Sequence, residues 1–345
     1  MTVERLELWP GYTISRLLKG GWHLAGGHGA IDPKQAIADM AAFVEAGFTT
    51  FDCADHYVGV EQLIGDFRRA YPALAGRVQI HTKMVPDLEA LATADTAYVE
   101  AIIDRSLMRM GVDALDLVQF HWWDYAVPRF VDIALVLEAL RRKGKIRAIG
   151  VTNFDTPRLR AMLDAGVPIR ANQIQYSPLD NRAEAEMLAL CRTHDIAILA
   201  YGTIAGGFLT DAWLGKPEPP GPFENRSHTK YKLIIDDFGG WALFQELLRA
   251  MRQIADRHGA TIAQVAVRWA LDRAVAGAII GVTSQRTLPE NLGIAALRLT
   301  DADRAAIDAV TARRTGPAGD VYALERDRTG RHGRIMRYNL NVGRH

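Results

Sequence analysis

Four residues far apart in the chain, Asp52, Tyr57, Lys83 and His121, are the types that a metal-free acid/base device requires. A phenol has an ordinary pKa of ~10, too high for efficient proton transfer near neutrality. A lysine ammonium beside it favours the phenolate and lowers that value. A carboxylate beside the lysine holds it in place and keeps it charged. An imidazole can orient a carbonyl or share the proton. Such a set suits hydride transfer to an aldehyde or ketone, where the nascent alkoxide needs a proton. It calls for no metal ligand and no covalent nucleophile.

These side chains can meet only if the fold gathers them. Short apolar runs at 14–18, 49–52, 78–83, 115–121, 148–152, 170–175, 197–201 and 278–281 read as strands buried on both faces. Amphipathic stretches alternate with them. Asp32-Pro33 reads as the start of a helix ending at Gly47. The segments 96–110, before Gly111, and 131–143, before Gly144, end as helices do, and 184–194 and 261–271 read similarly. Eightfold strand–helix alternation predicts an α/β fold, a closed (β/α)8 TIM barrel. An open doubly wound sheet is the rival, but Gly26-Gly27-His28-Gly29 lacks the G-x-G-x-x-G spacing that would mark one. In such a barrel the carboxyl ends of the strands carry the active site. Asp52, Lys83 and His121 end the second, third and fourth strands, and Tyr57 follows Asp52 in the next loop. Residues 1–13 read as an N-terminal arm or lid, and 202–240 as a long Gly/Pro-rich loop after the seventh strand. Residues 314–345 read as an Arg-rich tail. Solvation is the default for such a tail, but Tyr322, Leu324, Ile335, Met336 and Tyr338 argue that it docks and closes the pocket or meets another subunit.

The bulk properties fit one domain over residues 1–345, with a barrel core at about 14–313. Of the 345 residues, 49% are hydrophobic, enough for a large core. A net charge of +1 leaves no electrostatic footprint for nucleic acid or an anionic membrane. No apolar run approaches the ~20 residues of a membrane span. Cys53 and Cys191 form neither a disulfide framework nor a metal-ligand spacing. The N-terminus lacks a signal pattern, so a cytoplasmic location is expected by elimination. Oligomeric state is left open.

Several segments, in order, resemble the aldo-keto reductase family. They begin with Phe51-Asp52-Cys53-Ala54-Asp55-His56-Tyr57, then Gly59, Glu61 and Leu63-Ile64-Gly65. His81-Thr82-Lys83, Ser106-Leu107-Met108-Arg109-Met110-Gly111, Asp116-Leu117 and His121-Trp122 follow. Next come Gly144-Lys145-Ile146-Arg147-Ala148-Ile149-Gly150-Val151-Thr152-Asn153-Phe154 and Asn172-Gln173-Ile174-Gln175-Tyr176-Ser177-Pro178-Leu179. Ala263-Gln264-Val265-Ala266-Val267-Arg268-Trp269, Ile280-Gly281 and Glu290-Asn291 complete the set.

The resemblance implies NAD(P)-dependent interconversion of a carbonyl and an alcohol. Asp52, Tyr57, Lys83 and His121 would form the catalytic tetrad, with Tyr57 as the proton donor. Thr152, Asn153 and Gln173 would bind the nicotinamide carboxamide, and Tyr201 would stack under its ring. Gly202, Ile204 and Gly206 would lie along the pyrophosphate. Ser284, Arg286 and Asn291 would meet the adenosine end. Gly21 and Trp22 would border the nicotinamide, and Trp22 and Trp122 the substrate. With Trp123, these tryptophans suggest an aromatic-lined, fairly apolar pocket. Taken alone, Tyr201 and Trp122 also read as core aromatics. Thr152 stands where many members have serine, and its hydroxyl is kept. Thr287 and Gly281 stand where NADP-specific members often have a cation, which leaves Arg286 as the substitute. NADP is expected, with NAD the alternative. Sugar or alcohol oxidation, a cofactor-binding regulator resembling potassium-channel β subunits, and a Schiff-base lyase built on Lys83 are the rival readings. Against the last, a neighbouring carboxylate keeps Lys83 charged.

Overall fold

The computed structural model describes residues 2–26, 31–223, 225–273, 275–281 and 284–341. Most of the Gly26-Gly27-His28-Gly29 run lies outside them. Strands β1 (Arg5–Trp9) and β2 (Tyr12–Ser15) form an antiparallel hairpin. Eight parallel strands follow: β3 (Leu17–Gly20), β4 (Thr50–Asp52), β5 (Gln79–Met84), β6 (Leu115–Phe120), β7 (Ile146–Thr152), β8 (Ile169–Gln175), β9 (Ala197–Tyr201) and β10 (Gly277–Gly281). They run in sequence order around a closed barrel, β10 pairing with both β9 and β3. Among the described residues no helix is long and apolar enough to cross a membrane.

Capping chemistry sets the helix limits. Asp32 accepts from the Lys34 amide at 3.0 Å ahead of helix Pro33–Glu45. Gly111, at φ +63°, closes helix Thr96–Met110. Thr261 and Gln264 form a reciprocal capping box before helix Ile262–Leu271. Helix Val60–Ala70 crosses helix Thr96–Met110 so closely that a Cβ on Gly65 would stand 2.1 Å from the Arg109 carbonyl oxygen. Gly65→Ala is therefore expected to destabilise the fold by about 1–3 kcal/mol through forced separation of the two helices. A lowered urea midpoint at unchanged slope would show it, and an unshifted midpoint would refute the close packing.

Four expectations need correction. The first barrel strand is Leu17–Gly20, not 14–18. Lys19 belongs to it, 4% exposed, its ammonium 5.9 Å from the ring centres of both Phe43 and Phe51. A buried cation held between aromatic faces hides a strand from an apolar-run reading. The N-terminal segment is no lid over the site. Its hairpin packs Leu8, Trp9 and Tyr12 against Leu117, Ala148 and Ala171, near the amino ends of β6–β8, and so plugs the floor of the barrel. Residues 202–240 are not one loop, because helix Arg226–Phe238 lies within them, capped by Asn225 on the Ser227 amide at 2.8 Å. The expected helix 184–194 is also shorter, a 3-10 turn at Arg182–Glu184 followed by Met187–Thr193.

The tail docks. Glu325 faces Arg182 at 3.5 Å and Lys230 at 3.7 Å, and is 1% exposed. Arg326 stacks on Tyr125 and donates to the carbonyls of Trp122, Trp123 and Asn153. His332 meets Asp237 of helix Arg226–Phe238 at 2.7 Å. The Leu340 and Asn341 amides donate to Asp87.

Candidate active site

The carboxyl ends of the strands open into a cavity of about 490 Å³, within the usual range for a small-molecule site. Asp52, Tyr57, Lys83 and His121 all line it. The Lys83 ammonium donates to Asp52 at 2.8 and 3.0 Å and to the Cys53 carbonyl at 2.8 Å. Gln119 and Gln173 add amide donors to Asp52 Oδ1 at 3.2 and 2.6 Å. That carboxylate is thus satisfied while only 4% exposed. Burial pulls the Lys83 pKa down, but the Asp52 charge outweighs it and holds the lysine above its ordinary value.

The Lys83 ammonium lies 5.1 Å from the centre of the Tyr57 ring. Burial is the largest influence on this phenol and raises its pKa. Lys83 opposes that by its charge, and the balance stays above the ordinary value. The sequence reading expected a lowered phenol; desolvation wins instead. At neutral pH Tyr57 therefore keeps its proton. Trp22 packs edge-on against it at 5.0 Å and lines the cavity.

His121 Nδ1 lies 2.9 Å from the Thr152 carbonyl oxygen, which can only accept, so Nδ1 carries the hydrogen. Among the described residues Nε2 is left as an acceptor with no hydrogen-bond partner. Burial holds this imidazole far below its ordinary pKa, hence neutral. The rings of Trp123 at 4.3 Å and Tyr322 at 5.6 Å enclose it edge-on.

Thr152, Asn153, Gln173, Tyr201, Gly202, Ile204 and Gly206 line the same cavity. Asn153 is held at φ +62°, a conformation asparagine tolerates. Its Oδ1 accepts from the Tyr201 hydroxyl at 2.8 Å. Among the described residues its NH2 has no protein partner. Gln173 spends its NH2 on Asp52 and Gln119, leaving its side-chain oxygen unassigned. One amide donor and one amide acceptor, side by side at adjacent strand ends, complement a carboxamide.

Not every expected residue lines this cavity. Trp122 does not line the cavity. Side chains alternate along the extended exit of β6, so Trp122 turns away and is fully buried, its Nε1 donating to Val127 O at 2.9 Å. Trp123 takes the cavity side. Gly21 is also displaced from the wall by Gly20 and instead donates its amide to Asp52 O at 2.7 Å. Ser284, Arg286 and Asn291 stand outside the cavity, past β10. Ser284 caps a 3-10 turn and Asn291 donates to Thr287 Oγ1 at 3.2 Å. Cys53 is fully buried, and burial pushes its thiol well up, as suits a core residue. Lining residues that the sequence reading did not single out include Arg226, Lys230 and Tyr231 of helix Arg226–Phe238, and Leu340 of the tail; Arg337, one of the arginines of the tail expected to close the pocket, joins them. The helical spacing of Tyr231, Ile234, Ile235 and Phe238 was the available signal for the first group.

A closed parallel barrel with an amide-and-tyrosine cleft beside a lysine–carboxylate pair defines a barrel oxidoreductase class. The Aldo/keto reductase family model matches residues 16–312. The chain belongs to the aldo-keto reductase family, whose members are NAD(P)-dependent oxidoreductases. It is 34% identical over 303 residues to flagellar radial spoke protein 5 of Chlamydomonas reinhardtii, covering 69% of this chain but only 56% of that longer protein. It is 26% identical over 314 residues to the NADH-specific methylglyoxal reductase of Escherichia coli, covering 84% and 93% of the two. The glycerol dehydrogenase of Gluconobacter oxydans superposes with a TM-score of 0.76 at 24% identity, over 92% of this chain and 97% of its own, a likeness of fold.

Proposed function

We propose that this chain, acting as one domain, reduces an aldehyde or ketone to an alcohol, reversibly, with Tyr57 as the proton donor. The observation that carries the proposal is a protonated phenol beside a paired lysine and an imidazole nitrogen with no partner among the described residues, all in one cavity. A nicotinamide cofactor supplies or accepts the hydride when bound. Asn153 and Gln173 would hold its carboxamide, with Thr152 beside them, and Tyr201 would lie against its ring. Gly202, Ile204 and Gly206 would face its diphosphate.

The chain's own residues account for the proton. The Tyr57 hydroxyl donates to the carbonyl oxygen and polarises it, then releases the proton as the alkoxide forms. Lys83, fixed by Asp52, stabilises the phenolate that remains. His121 Nε2 accepts a hydrogen bond, which suits the hydroxyl of the product alcohol and serves the oxidative direction equally. Trp22 and Trp123 wall the substrate side. Turnover of a carbonyl panel, followed by nicotinamide absorbance, tests the proposal. Cofactor binding with no turnover of any carbonyl or alcohol would refute it and favour a regulatory role.

NADP is the proposed cofactor, with NAD as the alternative. Arg286 is exposed, and among the described residues it has no ion pair that would compete for a 2′-phosphate. Arg286→Gln is expected to weaken NADPH binding about tenfold and NADH binding hardly at all. Fluorescence titration with both cofactors would decide this, and equal effects on both would remove Arg286 from the 2′-phosphate. A cytoplasmic setting is part of the proposal, and two buried, unbridged thiols suit it.

A further inference from the structure

The charges lining the cavity do not balance. Its cationic side chains are Lys83, Arg226, Lys230 and Arg337, and among the described residues its one carboxylate is Asp52. Asp52 answers Lys83 at 2.8 Å. Glu325, from behind, answers Lys230 at 3.7 Å. Arg226 and Arg337 have no carboxylate within ion-pairing distance among the described residues. The Arg226 guanidinium is spent in part on the Ile335 carbonyl, only two residues before Arg337. Burial depresses the Arg226 pKa, and the nearby Arg337 charge depresses it further. Two like charges held together at a cavity wall favour an anion between them.

The path of the tail says where that anion sits. Ile335 is tied to helix Arg226–Phe238 on the β9 side. Tyr338 packs edge-on against Trp123 at 5.2 Å, and its carbonyl accepts from the Leu88 amide at 3.0 Å, beyond β6 and β5. Arg337 falls between these anchors, so the segment carrying it bridges the mouth toward the strands that hold Lys83 and His121. Gly202, Ile204 and Gly206, the residues proposed to face the diphosphate, also follow β9, and the two glycines pack against helix Arg226–Phe238 at Ser227 and Tyr231, so Arg226 borders their side of the mouth while Arg337 leads away from it.

We propose that Arg337, backed by Arg226, forms an anion seat for the substrate, so that the preferred carbonyl compound carries a carboxylate or phosphate away from its reacting carbon. This inference rests on the reductase reading given above. The test compares succinic semialdehyde with its methyl ester, and glyceraldehyde 3-phosphate with glyceraldehyde. In at least one pair the charged member should have a kcat/KM about tenfold or more higher. Arg337→Gln should reduce that preference at least fivefold and leave the NADPH dissociation constant unchanged. Charged members no better than neutral ones would overturn the seat. A preference that survives Arg337→Gln, or a variant that weakens NADPH instead, would also overturn it and, in the last case, assign the cations to the cofactor diphosphate. If none of the four aldehydes turns over, the reductase reading is what fails. Calorimetric titration with succinate and inorganic phosphate then judges the seat alone: binding lost in Arg337→Gln supports it, and equal or absent binding overturns it.

Discussion

Tyr57→Phe is expected to lower kcat by between ~10²- and 10⁴-fold, the usual span for a positioned general acid. The substitution removes one oxygen and leaves the ring that packs against Trp22 and lies beside Lys83. Asn153, Gln173 and Tyr201 are untouched, so NADPH titration should return a dissociation constant within about twofold of the parent. A loss confined to kcat is the signature of an interaction made in the transition state. A phenylalanine variant with more than a tenth of the parental kcat would move the proton to another donor, and His121 would be the first to examine.

Lys83→Met is expected to damage both chemistry and fold. The ammonium makes three hydrogen bonds, to both Asp52 oxygens and to Cys53 O, with side-chain exposure of 5% at each end of the ion pair. Removing one partner strands a buried carboxylate, a change that costs about 3–5 kcal/mol in comparable settings. The amides of Gln119 and Gln173 still reach Asp52, which places the expected loss at the low end of that range. Because the folded lysine titrates above its ordinary 10.5, the pair's contribution is complete below that pH and fades only as pH rises beyond it. The parent should therefore gain no stability between pH 6 and 9 from this pair, and the variant should run below it by a constant margin there. Activity should fall by about 10²-fold or more, since the Tyr57 phenolate loses its nearest positive charge. Denaturant unfolding at several pH values, together with steady-state rates, would check both parts. A variant as stable and as fast as the parent would dissolve the proposed role of the pair.

The barrel was readable from the sequence because parallel strands buried on both faces leave uninterrupted apolar runs. The Ala197–Tyr201 strand is an example, found where the sequence placed it. Gly and Asp at helix ends marked Gly111 and Asp32 for the same local reasons. What failed to show was long-range. Lys19 disguised the first strand, since its burial depends on Phe43 and Phe51 from other elements. Helix Arg226–Phe238 followed a proline-rich stretch that drew the whole segment into a loop reading. Trp122 and Trp123 differ by one step of backbone alternation, and only the path beyond His121 decides which one faces inward. The desolvation that overrides Lys83 at Tyr57 is likewise a property of the assembled cavity and not of any motif.

The tail contributes no strand to the barrel, yet it closes the mouth through Tyr322, Met336, Arg337 and Leu340. The same segment braces the machinery it covers, since Tyr322 encloses His121 and Arg326 grips the carbonyls of Trp122, Trp123 and Asn153. Exchanging residues 314–341 would therefore preserve the strand ends only if those two anchors travelled with the replacement.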